Sequence, residues 1–471
     1  MEAELENNFS RATTPNAVTI GFISLGCAKN LVDSQVMAGV LLAEKLQLAP
    51  SPEEADIILV NTCAFIEDAR TEAAETILRV CAHKTEGNCR AVVVTGCMVQ
   101  RYRERLKQAF PDVDAFLGVD ELEEIAEVVR RVTSGQGSVM VVGDGASKRL
   151  FSPRLPALRF TGGPFAYLKV AEGCDHVCAF CAIPGIRGKF RSRGLDELVV
   201  ESQALLDSGV KEINLISQDT TSYGMDRRDG ARLADLLKAL DGLKGDFWLR
   251  MLYGYSGRVT DAWLDVMAAS RHICAYLDLP IQHSHPEILR DMRRADTVQA
   301  VAAMPDRLRK ALPGVTLRTT CLVGFPGEKE EHFQHLLEYV EAARFDHLGV
   351  FVYSPEEGTV AFEQEDEPPP LEVAEERRDR LMQLQQRLVA ERQQELMGQT
   401  VAALLLHPLE SEELGDDSDV TWVARLPRQA PDVDGVTHVS GVPDEAKIGD
   451  FMRVRITGGT EYDLTADVVG R

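Results

Sequence analysis

Six of the chain's ten cysteines fall where thiolates could share a metal. Cys174, Cys178 and Cys181 form a C-x3-C-x2-C run in a loop just after an apolar stretch. Three thiolates so spaced can hold three irons of a four-iron cubane and leave the fourth open, as catalytic metals keep one position free. The competing readings are a zinc site with His176 as fourth ligand, or three unrelated core cysteines; zinc more often pairs C-x2-C with a distant second pair. Cys27, Cys63 and Cys97 each come after a short apolar run. A second cubane with one unfilled iron there would bind an exogenous sulfur ready for transfer to carbon; otherwise the three pack as small apolar residues. Cys81, Cys89, Cys274 and Cys321 read as packing or exposed thiols. Lys29, Asn30, Asp33 and Ser34 either orient the second site or cap the helix after Cys27, and capping is the expectation.

The elements that must position these residues are legible in the pattern of apolar runs. Strand candidates Val18 to Leu25, Ile57 to Val60 and Ala91 to Thr95 alternate with helical stretches near Leu31 to Leu46 and Ala64 to Cys81. Such alternation predicts an α/β unit over 17–134 with a parallel sheet, whose ligand groups gather at the carboxyl ends of the strands. Residues 1–16 read as a polar tail and 135–159, rich in Gly, Ser and Pro, as a linker. Over 160–370, strands are predicted at Ala166 to Val170, Glu212 to Ile216, Trp248 to Leu252, Tyr276 to Leu279, Thr316 to Val323 and His347 to Val352, with helices between them, hence a partial or full α/β barrel. Residues 371–397 read as one solvated connecting helix of about 40 Å at 1.5 Å per residue. Residues 398–471 carry short strands divided by Gly, Pro and Asp turns, which predicts a small β-barrel. No internal repeat is visible.

Composition narrows the function. The 471 residues exceed one ordinary core and suggest about three domains. A 45% hydrophobic and 27% charged composition excludes disordered and collagen-like classes. Apolar runs are strand-sized, short of a membrane span, and the acidic start does not read as a secretory signal. A cytoplasmic, reducing setting is therefore expected, where cysteines serve metal or redox chemistry rather than disulfides. The net charge of −23 works against general attraction to a phosphate backbone and favours a basic partner.

The run Glu172-Gly173-Cys174-Asp175-His176-Val177-Cys178-Ala179-Phe180-Cys181-Ala182-Ile183-Pro184, with Arg187-Gly188 and the segments around Cys27, Cys63 and Cys97, resembles the methylthiotransferase family of radical S-adenosylmethionine enzymes across nearly the whole chain. That resemblance implies S-adenosylmethionine on the open iron at Cys174, Cys178 and Cys181, with those residues catalytic, and an auxiliary cluster at Cys27, Cys63 and Cys97. It also implies a terminal TRAM-type barrel for substrate recognition, and cofactor contacts from Gly324, Gly327 and Glu328 in Gly324-Phe325-Pro326-Gly327-Glu328, a segment that by its residues alone reads equally as a tight turn. Two 4Fe-4S clusters, an electron donor and a sulfur source are expected with it. The segments Ile216 to Gly224 and Phe351 to Thr359 resemble the branch that modifies an aspartate β-carbon in ribosomal protein S-twelve, free or on the small subunit. In 398–471, 6 Lys and Arg stand against 14 Asp and Glu, an acidic unit suited to a basic ribosomal protein. Alternatives are methylthiolation of adenosine in transfer RNA, or a non-catalytic iron–sulfur protein that docks on ribosomes. Ala28, and Arg294-Ala295-Asp296, depart from the family pattern and are expected to affect loop geometry without touching a ligand.

Overall fold

The computed structural model describes residues 18–143, 159–160, 162–409 and 420–469. The tail expected over 1–16 and most of the linker expected over 135–159 lie outside the described residues.

β-Branched runs build the first unit. Strands β1 (Thr19–Ser24), β2 (Gln47–Leu48), β3 (Ile57–Thr62), β4 (Ala91–Gly96), β5 (Ala115–Leu117) and β6 (Val139–Val141) form one parallel sheet in the order β2-β1-β3-β4-β5-β6. Every residue of β3 and β4 is buried, as in a parallel sheet covered on both faces. Helices α1 (Ala28–Ala43), α2 (Glu67–Glu86) and α3 (Cys97–Tyr102) come after β1, β3 and β4. Strand β6 arises inside the stretch read as linker, because Val-Met-Val can extend the sheet edge beside β5.

The second unit is an open barrel. Its strands in chain order are β7 (Phe165–Lys169), β8 (Ala171–Glu172), β9 (Arg191–Ser192), β10 (Glu212–Ile216), β11 (Trp248–Met251), β12 (Tyr276–Asp278), β13 (Thr316–Val323) and β14 (His347–Val352). Parallel sheets β11-β10-β7 and β12-β13-β14 are joined through the bridge Leu249↔Ile273, and β8 pairs with β9 as a short ribbon. Among the described residues no pairing joins β14 to β7, so the barrel is partial. Leu168, Leu249, Leu277 and Leu317 turn outward into the helix-covered core, each burial being worth about 1.5–3 kcal/mol. The helices of this unit include α4 (Ile183–Arg187), α5 (Pro286–Asp291) and α6 (Glu330–Ala343).

Helix α7 (Leu371–Leu396) was expected to be solvated, and it is not. It buries Ala374, Arg377, Leu381, Gln385, Leu388 and Val389 and packs on β14 and α6. Its polar composition conceals a stripe in which Arg377 is neutralised by Glu328 at 2.8 Å and Gln385 donates to the Phe345 carbonyl at 3.0 Å.

Strands β15 (Thr400–Pro408), β16 (Val420–Arg425), β17 (Thr437–Ser440), β18 (Phe451–Thr460) and β19 (Asp463–Val468) close the terminal barrel in the order β15-β16-β17-β19-β18. Its residues 425–434 enter the open barrel from below. One side chain from each of the six long strands meets it. Tyr167 donates to Asp432 (2.6 Å), Arg250 to the Pro427 carbonyl (2.7 Å), Tyr276 and Arg318 to Asp434 (2.7 and 2.8 Å), and His347 Nε2 to the Arg428 carbonyl (2.9 Å). Glu212 binds Arg250 at 2.8 Å and Arg425 at 2.5 Å. The barrel floor is thus sealed, and the opposite mouth faces the first unit.

Candidate functional site

β1, β3 and β4 are adjacent and parallel, so the chain leaves all three on one edge of the sheet. Cys63 and Cys97 come directly after β3 and β4, and Cys27 three residues past β1. Gly26 has φ +87°, and a Cβ there would stand 2.7 Å from Cys63 Cβ and 3.0 Å from Cys63 Sγ. Glycine at 26 therefore lets the Cys27 turn close over Cys63. The residues expected to cap α1 do other work. Cys27 itself occupies the N-cap with no side-chain bond. Asn30 Nδ2 donates to the Leu25 and Thr62 carbonyls (3.1 and 2.9 Å), fixing the Cys27 and Cys63 turns to each other.

Cys174, Cys178 and Cys181 lie in the loop after β8, half-buried. Gly173 has φ +80°, and a Cβ there would strike the Lys189 carbonyl at 2.2 Å. Cys174 N donates to the Gly188 carbonyl (3.1 Å) and Ala179 N to the Met292 carbonyl (2.9 Å), so the loop is held from both sides. His176, the alternative zinc ligand, instead turns Nε2 to Asp219 at 2.6 Å and stacks on Tyr255 with centroids 3.7 Å apart. Burial works to raise the Asp219 carboxyl, but His176, Ser222 and Thr221 outweigh it and hold it below its ordinary value. The expectation that Arg294 touches no ligand is overturned: its Nη1 stands 3.5 Å from Cys178 Sγ and its guanidinium 4.3 Å from the Tyr255 centroid. The fold brings Met292 back to the cysteine loop, and Arg294 comes with it.

A buried ionic network ties together the segments that carry the two cysteine groups. Arg187, at the end of α4, points Nη2 at Cys97 Sγ (3.3 Å) and Nη1 at Asp33 (2.8 Å) and Glu172 (3.4 Å). Lys169 joins the same two carboxylates, Glu172 at 2.7 Å, and Gln218 donates to Glu172 at 2.6 Å. Burial opposes ionisation of Glu172, but Lys169 and Arg187 overcome it and hold its carboxyl down at about 2. A second clamp closes on the other side, where Glu356 binds Arg70 and Arg101 (2.6 Å to the latter). Sequence reasoning missed Arg187, Lys169, Arg294 and Glu356 as site residues; a basic residue on an otherwise apolar strand, Lys169, was the available signal.

The donor set suits a cluster at each place. Free thiols stand at both sites, and burial pushes Cys97 up to about 11 and Cys174 and Cys181 up to about 12, values a bound cation would reverse. Burial also opposes ionisation of Cys27, yet Lys29, Arg187 and backbone amides bring that thiol below its ordinary value. Gly324 (φ +74°) and Gly327 (φ +79°) shape the loop after β13, and a Cβ on Gly324 would lie 2.6 Å from Ala374 Cβ. Glu328, expected to contact a cofactor, faces inward: Gly324 N and Phe325 N donate to it (2.9 and 3.3 Å) and Arg377 neutralises it. It braces the loop.

Among the described residues one compact group could hold a single metal ion, His285, Glu287 and His332. Glu287 N and Lys329 N donate to Nδ1 of His285 and His332 (3.3 and 3.2 Å). The remaining ring proton then sits on Nε2, and His332 Nε2 faces Glu287 at 3.4 Å as a donor rather than a ligand.

Family models match three parts of the chain: the uncharacterized protein family UPF0004 at residues 19–118, the Radical SAM superfamily at 168–340 and the TRAM domain at 409–469. Ribosomal protein uS12 methylthiotransferase RimO of Desulfitobacterium hafniense (strain Y51) is 41% identical over 450 residues, covering 96% of this chain and 98% of the relative. The protein of that name from Pelotomaculum thermopropionicum is 43% identical over 453 residues, covering 96% and 99%. Among solved structures, the radical S-adenosylmethionine methyltransferase TsrM from Kitasatospora setae, with cobalamin and a 4Fe-4S cluster bound, is similar in fold with a TM-score of 0.52 at 16% identity over 74% of this chain and 78% of that one. The cobalamin-dependent radical enzyme OxsB gives 0.51 at 14% identity over 74% and 55%.

Proposed function

The chain belongs to the RimO family of radical S-adenosylmethionine methylthiotransferases, and from that premise we propose that it adds a methylthio group to the β-carbon of an aspartate in ribosomal protein uS12. Residues 17–134 are read as the auxiliary-cluster domain, 160–370 as the radical domain and 398–471 as the TRAM-like barrel, with 371–397 connecting them.

Cys174, Cys178 and Cys181 would hold one 4Fe-4S cluster, and Cys27, Cys63 and Cys97 the second. Bound there, the clusters and two S-adenosylmethionine molecules supply the hydrogen-abstracting radical and the methylated sulfur that ends on the substrate carbon. The protein's part is to hold both centres at one mouth. Arg187 links the Cys97 side to Glu172, two residues before Cys174, and Arg294 and the His176–Tyr255 stack fix the Cys178 side. With the barrel floor occupied by residues 425–434, the mouth that faces the first unit is the side from which a substrate would reach the cysteine groups. Phe65 and Val177, next to the two cysteine groups, stay 42% and 66% exposed, apolar surface suited to a docking polypeptide.

The observation that carries this reading is that Arg187, 3.3 Å from Cys97 Sγ, is ion-paired to Glu172, two residues before Cys174, so one buried cation ties together the segments that carry the two cysteine trios. The acidic terminal unit supports a basic protein substrate over transfer RNA, although Asp432 and Asp434 are engaged inside the barrel floor. No helix among the described residues is long and apolar enough to cross a membrane. Anaerobic incubation of the reconstituted protein with reductant, sulfide, S-adenosylmethionine and either uS12 or transfer RNA tests it. A gain of about 46 mass units (CH2S) on uS12 is expected; the same gain on transfer RNA alone would refute it.

A further inference from the structure

We infer that Lys29 binds the carboxylate of the target aspartate and so selects a carboxylate side chain as substrate, an assignment that rests on uS12 being the substrate. Lys29 lies in the first turn of α1, two residues past Cys27, and is 9% exposed. Its ammonium sits 3.1 Å from the centroid of the Tyr253 ring, just past the end of β11 at the barrel mouth. Among the described residues, no carboxylate stands within the 4.0 Å ion-pair distance of it. Its charge holds down the Cys27 thiol and acts on Asp278 from beyond ion-pair distance, but a buried ammonium with no carboxylate partner is costly, and an aromatic face recovers only part of that cost.

The other cations of the site are engaged. Arg187 and Lys169 hold Asp33 and Glu172, Arg70 and Arg101 hold Glu356, and Arg191 holds Asp120. Arg294 also lacks a carboxylate, but its donors face Cys178 Sγ and the Pro280 carbonyl (3.0 Å). Cys97 takes a hydrogen bond from Arg187, and the Lys29 ammonium, whose charge also acts on the Cys27 thiol, rests on the Tyr253 ring. A lysine is a flexible point charge that can leave the ring when a carboxylate arrives. The aspartate β-carbon is a single bond, about 1.5 Å, from its carboxylate carbon. Gripping the carboxylate therefore fixes the reacting carbon beside Cys27. A neutral amide or nucleobase would leave the ammonium unpaired.

The test pairs changes on both sides of the contact. Wild-type, Lys29→Met and Lys29→Arg full-length proteins, reconstituted anaerobically, are assayed for kcat/KM with uS12 and with uS12 whose modified aspartate, located by mass spectrometry, is changed to asparagine. Iron content and the EPR spectra of the reduced clusters are recorded in parallel. The wild type should prefer aspartate by roughly a hundredfold or more. Lys29→Met should lose that preference, so that the two changes are not additive, with iron and EPR spectra unchanged and Lys29→Arg recovering part of it. Losses that simply multiply, or iron content falling with activity, would overturn the assignment while leaving the uS12 reading intact. A wild type that does not modify uS12 would overturn both.

Discussion

Arg187 Nη2 stands 3.3 Å from Cys97 Sγ, so a residue of the radical domain reaches into the cysteine trio of the first sheet. The same guanidinium is ion-paired to Asp33 of that sheet's first helix and to Glu172 beside the second cysteine loop. One buried cation thereby sets the spacing of two cysteine-bearing edges that the chain builds separately.

Arg187→Met would strand Asp33 and Glu172 with Lys169 alone. Breaking a buried charge network in this way costs about 3–5 kcal/mol. Thermal unfolding should show that loss, and iron bound at the Cys27, Cys63 and Cys97 site should fall more than iron at the other. Arg187→Lys, which keeps the charge and loses the fork, should fall between the two.

Gly26→Ala tests the turn over Cys63. A methyl group there meets Cys63 Cβ at 2.7 Å in a φ of +87°, a strain of about 1–3 kcal/mol. Iron per chain should drop from about eight to about four. Reductive cleavage of S-adenosylmethionine should continue and methylthio transfer should stop.

Acid should loosen the barrel floor through Glu212. Burial opposes its ionisation, but Arg425 and Arg250 prevail and its carboxyl lies below the ordinary value of 4.5. A carboxyl depressed on folding contributes stability that is present above its unfolded pKa and is lost as pH falls through the folded one. Urea unfolding should therefore lose stability as pH falls below about 4.3, and Glu212→Gln should remove that part of the acid dependence while lowering stability at pH 7.

Much of the site could be read from the chain because its cysteines end strands whose apolar runs are unmistakable. Cys27, Cys63 and Cys97 sit on one edge as topology requires. The residues that escaped reading are those whose partners are distant in sequence. Asn30 and Asp33 look like capping residues until Arg187, over 150 positions away, supplies their charge and hydrogen-bond partner. Arg294 stood in a departure from a family pattern, and only the return of the chain at Met292 brings it to Cys178. Helix α7 hid its buried face because Arg377 and Gln385 occupy it.

Cys174→Ala and Cys63→Ala should separate the two halves of the reaction. The first should abolish 5′-deoxyadenosine formation. The second should leave cofactor cleavage running without methylthio transfer, both read by chromatography of the nucleoside and mass spectrometry of uS12.

The most direct measurement is metal analysis with Mössbauer spectroscopy of the anaerobically reconstituted wild type beside a Cys27→Ala, Cys63→Ala, Cys97→Ala triple variant. The wild type should contain about eight irons in two 4Fe-4S clusters and the variant about four in one. Zinc in place of iron, or a wild type whose iron content equals that of the triple variant, would contradict a site built from two facing clusters.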